Sequence, residues 1–396
     1  MYHKSCIQII TRYHNYQKHY PVMAALLAIH AIAFAYMVSI ASSGVSAGPV
    51  TYIFGDSMAD VGNNNHFPQS LAKANYPWYG VDYSTKQPTG RFTNGRTIGD
   101  VMSARFGVPP PPPYLSLSMN DDAILEGINF ASGGAGILDE TGSYFVQYLS
   151  FNTQISYFEQ TKDAIKFRIG DAEAEKLCND ALYLIGLGSN DYINNYLQPF
   201  MADGQEYTHD EFVMLLNATL DSQLKRLYDL GARKIVFNGI GPLGCIPSQR
   251  VKSGTGQCLH HVNEYVKEFN AQVTKLLAAL NAALPGAQMV LADSYPVVME
   301  LIENPQKYGF KISNTSCCNV DSTVGGMCLP NSRLCANRRD FVFWDAYHTS
   351  DAANEIIANK MFADLNALTG GSPAPAPGPG LASTPHLRSA PTPSPL

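Results

Sequence analysis

The chain carries little charge for its length. Of its 396 residues only 15% are Asp, Glu, Lys or Arg, and the formal net charge is −6. No basic field is present to draw in a phosphate backbone, which excludes nucleic acid as a partner. Internal repeats are absent. Beyond Ile40 no stretch is long and apolar enough to span a membrane. The cysteines between Cys317 and Cys335 lack the C-x-x-C pairs of a zinc site. What the chain does have is 45% hydrophobic residues, enough to bury a substantial core.

Lys4, Arg12 and Lys18 precede an apolar run from Val22 to Ile40, and Val45-Ser46-Ala47 fits a small-residue cleavage pattern. Residues 1–47 therefore read as a signal peptide. The run is also as long as a membrane span, so its retention as an anchor stays open. Either way the rest of the chain is sent across the membrane to the cell exterior. With Cys6 removed, Cys178, Cys245, Cys258, Cys317, Cys318, Cys328 and Cys335 remain. An oxidising compartment favours disulfides, expected locally within the 317–335 cluster and between Cys245 and Cys258, and the odd number leaves one thiol over. Asn217-Ala-Thr and Asn314-Thr-Ser are glycosylation sequons usable in that compartment.

Short continuous apolar runs at Val50–Phe54, Ala181–Gly186, Lys234–Asn238, Gln288–Leu291 and Phe341–Phe343 suit strands covered on both faces. Between them Thr208–Leu230 and Leu259–Leu284 have helical spacing, the second stopping at Pro285-Gly286. This alternation predicts an α/β domain over 48–368 with a mainly parallel sheet. Pro109–Pro113 is a stiff extended connector. From 369 to 396 the chain is too poor in large apolar residues to pack and reads as a disordered proline-rich tail, with no hydrophobic end to mark a lipid anchor.

Ligands of open parallel sheets sit at the carboxyl ends of the strands. Ser57 follows the first strand in Phe54-Gly55-Asp56-Ser57, where a tight glycine turn would lift its hydroxyl to that edge. Such a hydroxyl needs a base. Among the histidines His66, His209, His260, His261, His348 and His386, only His348 has an acid at helical spacing, Asp345 in Trp344-Asp345-Ala346-Tyr347-His348. On one helical turn the two side chains would share a side, so Asp345 could orient the imidazole toward Ser57. Acyl transfer also needs donors for a developing oxyanion. Asn190, in Gly186-Leu187-Gly188-Ser189-Asn190-Asp191, offers an amide, and the glycine turn Asn129-Phe130-Ala131-Ser132-Gly133-Gly134-Ala135-Gly136 offers a backbone N–H. Taken singly, each of these segments reads as an ordinary turn or surface pair as readily as a site.

Taken in order, the four blocks resemble those of the plant GDSL esterases/lipases of the SGNH hydrolase superfamily, from Val50 to Leu365 and including Gly239–Pro247 and Cys317–Cys318. The resemblance implies a three-layer α/β/α flavodoxin-like domain with about five strands, without metal or cofactor. It implies Ser57 as nucleophile and first oxyanion donor, Gly134 as second and Asn190 as third, and His348 as base oriented by Asp345. The family usually follows this histidine with Pro-Thr-Glu, whereas Thr349-Ser350-Asp351 stands here. That change falls at a helix start, where Ser or Thr still caps. Gly55-Asp56-Ser57-Met58-Ala59 does not form the G-x-S-x-G elbow of α/β-hydrolases.

The expectation is a secreted, monomeric esterase or lipase acting on acyl-ester or lipid substrates. Two alternatives remain: an extracellular acyltransferase using the same triad, and a non-catalytic wall-binding protein on the same scaffold. Loops near Asn75–Arg96 and Ile137–Tyr148 are the expected determinants of acyl length, with Tyr76, Trp78, Tyr79 and Phe145 either lining a groove or packing the core.

Overall fold

The computed structural model describes residues 48–319 and 328–369. The expected signal segment 1–47, with Cys6, and the expected tail from 370 onward lie outside the described residues.

Four of the expected runs are strands of one parallel sheet: β1 (Thr51–Gly55), β3 (Leu182–Gly186), β4 (Lys234–Asn238) and β5 (Gln288–Ala292). The fifth member is β2 (Gly127–Asn129), and the order is β2-β1-β3-β4-β5. Phe341–Phe343 is a strand as expected, but it does not join that sheet. As β7 it pairs in parallel with β6 (Ile312–Ser316) in a separate two-stranded sheet. The proline run lies along the free edge of β2, where Pro112 C=O accepts from Asn129 N–H at 2.9 Å. Proline can accept but not donate, which suits it to a sheet edge.

All five residues of β1 are buried, so both faces of the sheet are covered. Tyr52 and Phe54 point one way, onto Phe130, Phe151 and Phe158, the last two in helix α2 (Phe151–Ile169). Ile53 points the other way, against Gly99 of α1 (Ile98–Arg105), where a Cβ would stand 3.1 Å from Ile53 Cδ1. Helices on both faces of a parallel sheet make the expected three layers. The remaining longer helices are α3 (Asp171–Asp180), α4 (His209–Asp229), α5 (His260–Ala283), α6 (Ser294–Glu303) and α7 (Asp351–Thr369). Thr208 and Glu211 close a capping box at the start of α4. The expected helices Thr208–Leu230 and Leu259–Leu284 thus become α4 and α5, with His260 and His261 exposed in the first turn of α5. Disulfides join Cys245 to Cys258, Cys317 to Cys335 and Cys318 to Cys328, while Cys178 is free and buried.

Candidate active site

Ser57 sits just past the end of β1, where a Cβ on Gly55 would come within 2.8 Å of Gly186 C=O. Glycine alone lets β1 lie this close to the end of β3. Gln154 of α2 clamps the same glycine, accepting from its N–H at 2.9 Å and donating to its C=O at 2.8 Å. The turn is then closed by Asp56, whose carboxylate accepts from Met58 N–H at 2.9 Å and whose C=O accepts from Asp60 N–H at 2.9 Å.

The Ser57 hydroxyl lies 2.7 Å from His348 Nε2, and His348 Nδ1 lies 2.8 Å from each Asp345 oxygen. A carboxylate only accepts, so the ring proton belongs on Nδ1 and Nε2 is free to take one from Ser57. Asp345 and His348 do not share a helical turn as the spacing suggested. They sit at the tip of a turn closed by an antiparallel bridge between Phe343 and Thr349 and by Trp344 N–H to His348 C=O at 2.8 Å. Asp345 Oδ1 accepts from the N–H groups of Tyr347 (2.9 Å) and His348 (2.8 Å), so the carboxylate builds its own turn. Strand pairing carries this turn to the site, because Cys317 and Cys318 N–H groups bond the carbonyls of Phe343 and Trp344. The Ser350 hydroxyl accepts from Ala353 N–H at 3.3 Å, the expected cap of α7.

One residue of this site, expected only as a groove or core aromatic, carries no sequence signal for the role it takes. Tyr79, 1% exposed, donates its hydroxyl to Asp345 Oδ2 at 2.8 Å and accepts from Cys328 N–H at 3.1 Å. Burial, then the charge of Asp345, holds this phenol well above its ordinary pKa, so it stays a donor.

The two further segments converge on Ser57. Gly134 has φ +90°, and a Cβ there would strike the Phe145 ring at 2.5 Å. Asp60 secures the neighbouring residue through Gly133 N–H at 3.0 Å, and Asn64 Nδ2 bonds Gly133 C=O at 2.8 Å. Asn190 Nδ2 donates to Ala135 C=O at 2.9 Å, and its Oδ1 accepts from Asn194 Nδ2 at 2.8 Å. That second bond fixes the amide orientation and leaves one N–H to give. Asp191 ties both segments together by accepting from Ile137 N–H (2.9 Å), Leu138 N–H (3.0 Å) and the Thr141 hydroxyl (2.7 Å). Among the described residues, no acceptor takes the backbone N–H of Ser57 or Gly134. Burial lifts the carboxyls of Asp56, Asp60 and Asp191 to about 6, against the opposing pull of the N–H groups they hold.

Ser57, Gly134, Asn190 and His348 all line one cavity of about 280 Å³. Phe145 and Tyr144 line it too, but Tyr76, Trp78 and Tyr79 do not. Phe92 of the Asn75–Arg96 loop also lines it, and further apolar wall comes from segments following β3, β4 and β5. Elsewhere His209, Asp210 and Glu268 approach one another, but His209 already meets Tyr192 OH at 3.2 Å and Glu268 at 3.0 Å. Asn217 is half-buried in the middle of α4 with Oδ1 enclosed, whereas Asn314 is exposed on β6. No helix among the described residues is long and apolar enough to cross a membrane.

A three-layer α/β fold with a hydroxyl, imidazole and carboxylate in series at the sheet's carboxyl edge has the architecture of a hydrolase. Residues 52–361 match the GDSL-like lipase/acylhydrolase family, and the chain belongs to that family. The chain is similar to plant proteins. An Arabidopsis thaliana GDSL esterase/lipase is 64% identical over 330 residues, covering 83% of this chain and 92% of the relative. A second from the same plant is 46% identical over 351 residues, covering 87% and 96%. A third, GDSL esterase/lipase 7, is 44% identical over 322 residues, covering 79% and 87%.

Proposed function

We propose that this protein is a secreted serine esterase that hydrolyses carboxylic esters of lipid or acyl-ester substrates through an acyl-enzyme. The observation that carries the reading is the 2.7 Å approach of His348 Nε2 to the Ser57 hydroxyl, with Nδ1 held by Asp345. Ser57 Oγ attacks the ester carbonyl carbon as its proton passes to His348 Nε2. The resulting oxyanion is held by the N–H groups of Ser57 and Gly134 and the Asn190 amide. His348 then returns the proton to the departing alkoxide, leaving the acyl group on Ser57. Water, deprotonated by the same imidazole, attacks the acyl-enzyme and frees the acid. Asp345 orients the ring and stabilises the imidazolium.

Secretion is supported by the apolar run Val22–Ile40 ahead of Val45-Ser46-Ala47 and by three disulfides. The test of the activity is hydrolysis of nitrophenyl esters by the purified protein and by Ser57→Ala. The proposal requires turnover by the first and its loss in the second. Equal rates would remove Ser57 from the mechanism.

A further inference from the structure

The cavity that holds Ser57 is longer than an ester group needs. It is lined by residues at the carboxyl ends of four neighbouring strands, running from Ser57 after β1 through Gly186 of β3 and Gly239–Gly241 after β4 to Ser294 and Val298 after β5. With strands about 4.8 Å apart, the three steps from β1 to β5 span about 14 Å. Leu187, Ile193, Ile240, Leu243, Ile246 and Val298 form apolar wall, each no more than 8% exposed. Asn238 adds an amide midway, and the Ser294 hydroxyl is turned away onto Gly239 C=O at 2.5 Å.

We propose that this groove is the acyl subsite and that it takes a single medium-length acyl chain of about eight to twelve carbons, since an extended chain advances about 1.2 Å per bond. The inference rests on the esterase reading and deepens it. The acyl group, unlike the alcohol, stays bonded to Ser57 until the second step, so the part of the cavity walled by these buried apolar side chains suits it. Tyr144, which lines the same cavity, is 41% exposed and marks a side open to solvent through which the alcohol leaves. A volume of about 280 Å³ lies at the lower end of small-ligand pockets, which fits one slender chain better than a branched or ring-bearing acyl group. Val298 lines the groove on its β5 side: it projects from α6 toward Gly241, where a Cβ would lie 3.7 Å from Val298 Cγ2.

The test is kcat/KM of the full chain on nitrophenyl acetate, butyrate, octanoate, decanoate, dodecanoate and hexadecanoate, for wild type, Val298→Phe and Val298→Ala. Wild type should peak between octanoate and dodecanoate. Val298→Phe should move the peak toward butyrate and lower the decanoate-to-acetate ratio about ten-fold or more, as lost methylene contacts do. Val298→Ala should move it toward longer chains, and it decides the matter if the larger side chain prevents folding. A wild-type preference for acetate, or an unchanged ranking in folded variants, overturns the acyl subsite. Failure to cleave any ester would instead overturn the esterase reading itself, a distinguishable result.

Discussion

Tyr79 and Asp345, 266 positions apart in the chain, meet through a 2.8 Å hydrogen bond in which the phenol donates to Oδ2. The phenol is held from behind by Cys328 N–H, and Cys328 is bridged to Cys318. Tyr79→Phe removes the donor while keeping the ring. It should lower kcat about ten-fold at nearly constant KM and cost about 1–3 kcal/mol in stability for the groups left unpaired. Steady-state kinetics with thermal melting reads both, and a full kcat would mean that Asp345 needs no such support.

Asn190 and Asn194 separate donation from positioning. Asn190→Ala removes a proposed oxyanion donor and should lower kcat about 10²–10³-fold. Asn194→Ala keeps the donor but releases Asn190 Oδ1, so its loss should be smaller. An Asn194 variant as slow as the Asn190 variant, or one at full rate, would show that the amide orientation is set otherwise.

Stability should rise as pH falls from about 6 toward 4. Burial raises the carboxyls of Asp56, Asp60 and Asp191 from 3.8 in the unfolded chain to about 6. The folded protein therefore binds more protons than the unfolded chain in that window, and this contribution is lost as pH rises through 6. His209, lowered by burial, opposes them by favouring the neutral ring above its ordinary value of 6.5. Glu211 and Glu300, held below their ordinary values by hydrogen bonds at the surface, also oppose them and Asp203, raised by burial, adds to them, but the three fully buried carboxyls, moved from 3.8 to about 6, set the sign. Below 4, Asp82 reverses the slope, because the hydrogen bond from Arg338 holds it under its ordinary value and its protonation costs stability. Melting temperatures across this range should pass through a maximum on the acid side of neutrality. A monotonic fall from neutrality downward would contradict it.

Glycan attachment should differ between the two sequons. Asn314 is exposed on β6, whereas Asn217 would have to project a sugar from the half-buried middle of α4. Asn314→Gln should abolish most of the mass lost on deglycosylation of the protein expressed through a secretory pathway, and Asn217→Gln should change it little. The reverse order would show that modification precedes the folding of α4.

Much of this architecture is legible in the chain because buried parallel strands announce themselves as continuous apolar runs: β1, β3, β4 and β5 stand where those runs fall. Gly127-Ile128-Asn129 does not, since two of its three residues are poor strand formers and it is an edge strand. Phe341–Phe343 has the pattern of a sheet strand, yet pattern cannot say which sheet, and β6 rather than β5 receives it. The Asp345–His348 spacing points to a pair that does meet, in a geometry that is local but not helical: an Asp that accepts from the N–H groups two and three residues on makes a turn on its own. Tyr79 looked like any aromatic of the core, because its role depends on a partner far along the chain. The cavity's lining comes partly from the two loops the sequence points to, through Phe92, Tyr144 and Phe145, and partly from segments after β3, β4 and β5, which only the folded sheet order aligns with Ser57.

The central claim is that His348, held by Asp345, makes the Ser57 hydroxyl the nucleophile. Its most direct measurement is peptide mass spectrometry after treatment with a fluorophosphonate, which captures an activated serine without requiring the natural ester. Covalent label on the peptide containing Ser57, with labelling slowed by several orders of magnitude in folded His348→Ala, is the predicted result. Label on another residue, or undiminished labelling of Ser57 without the imidazole, would contradict the account.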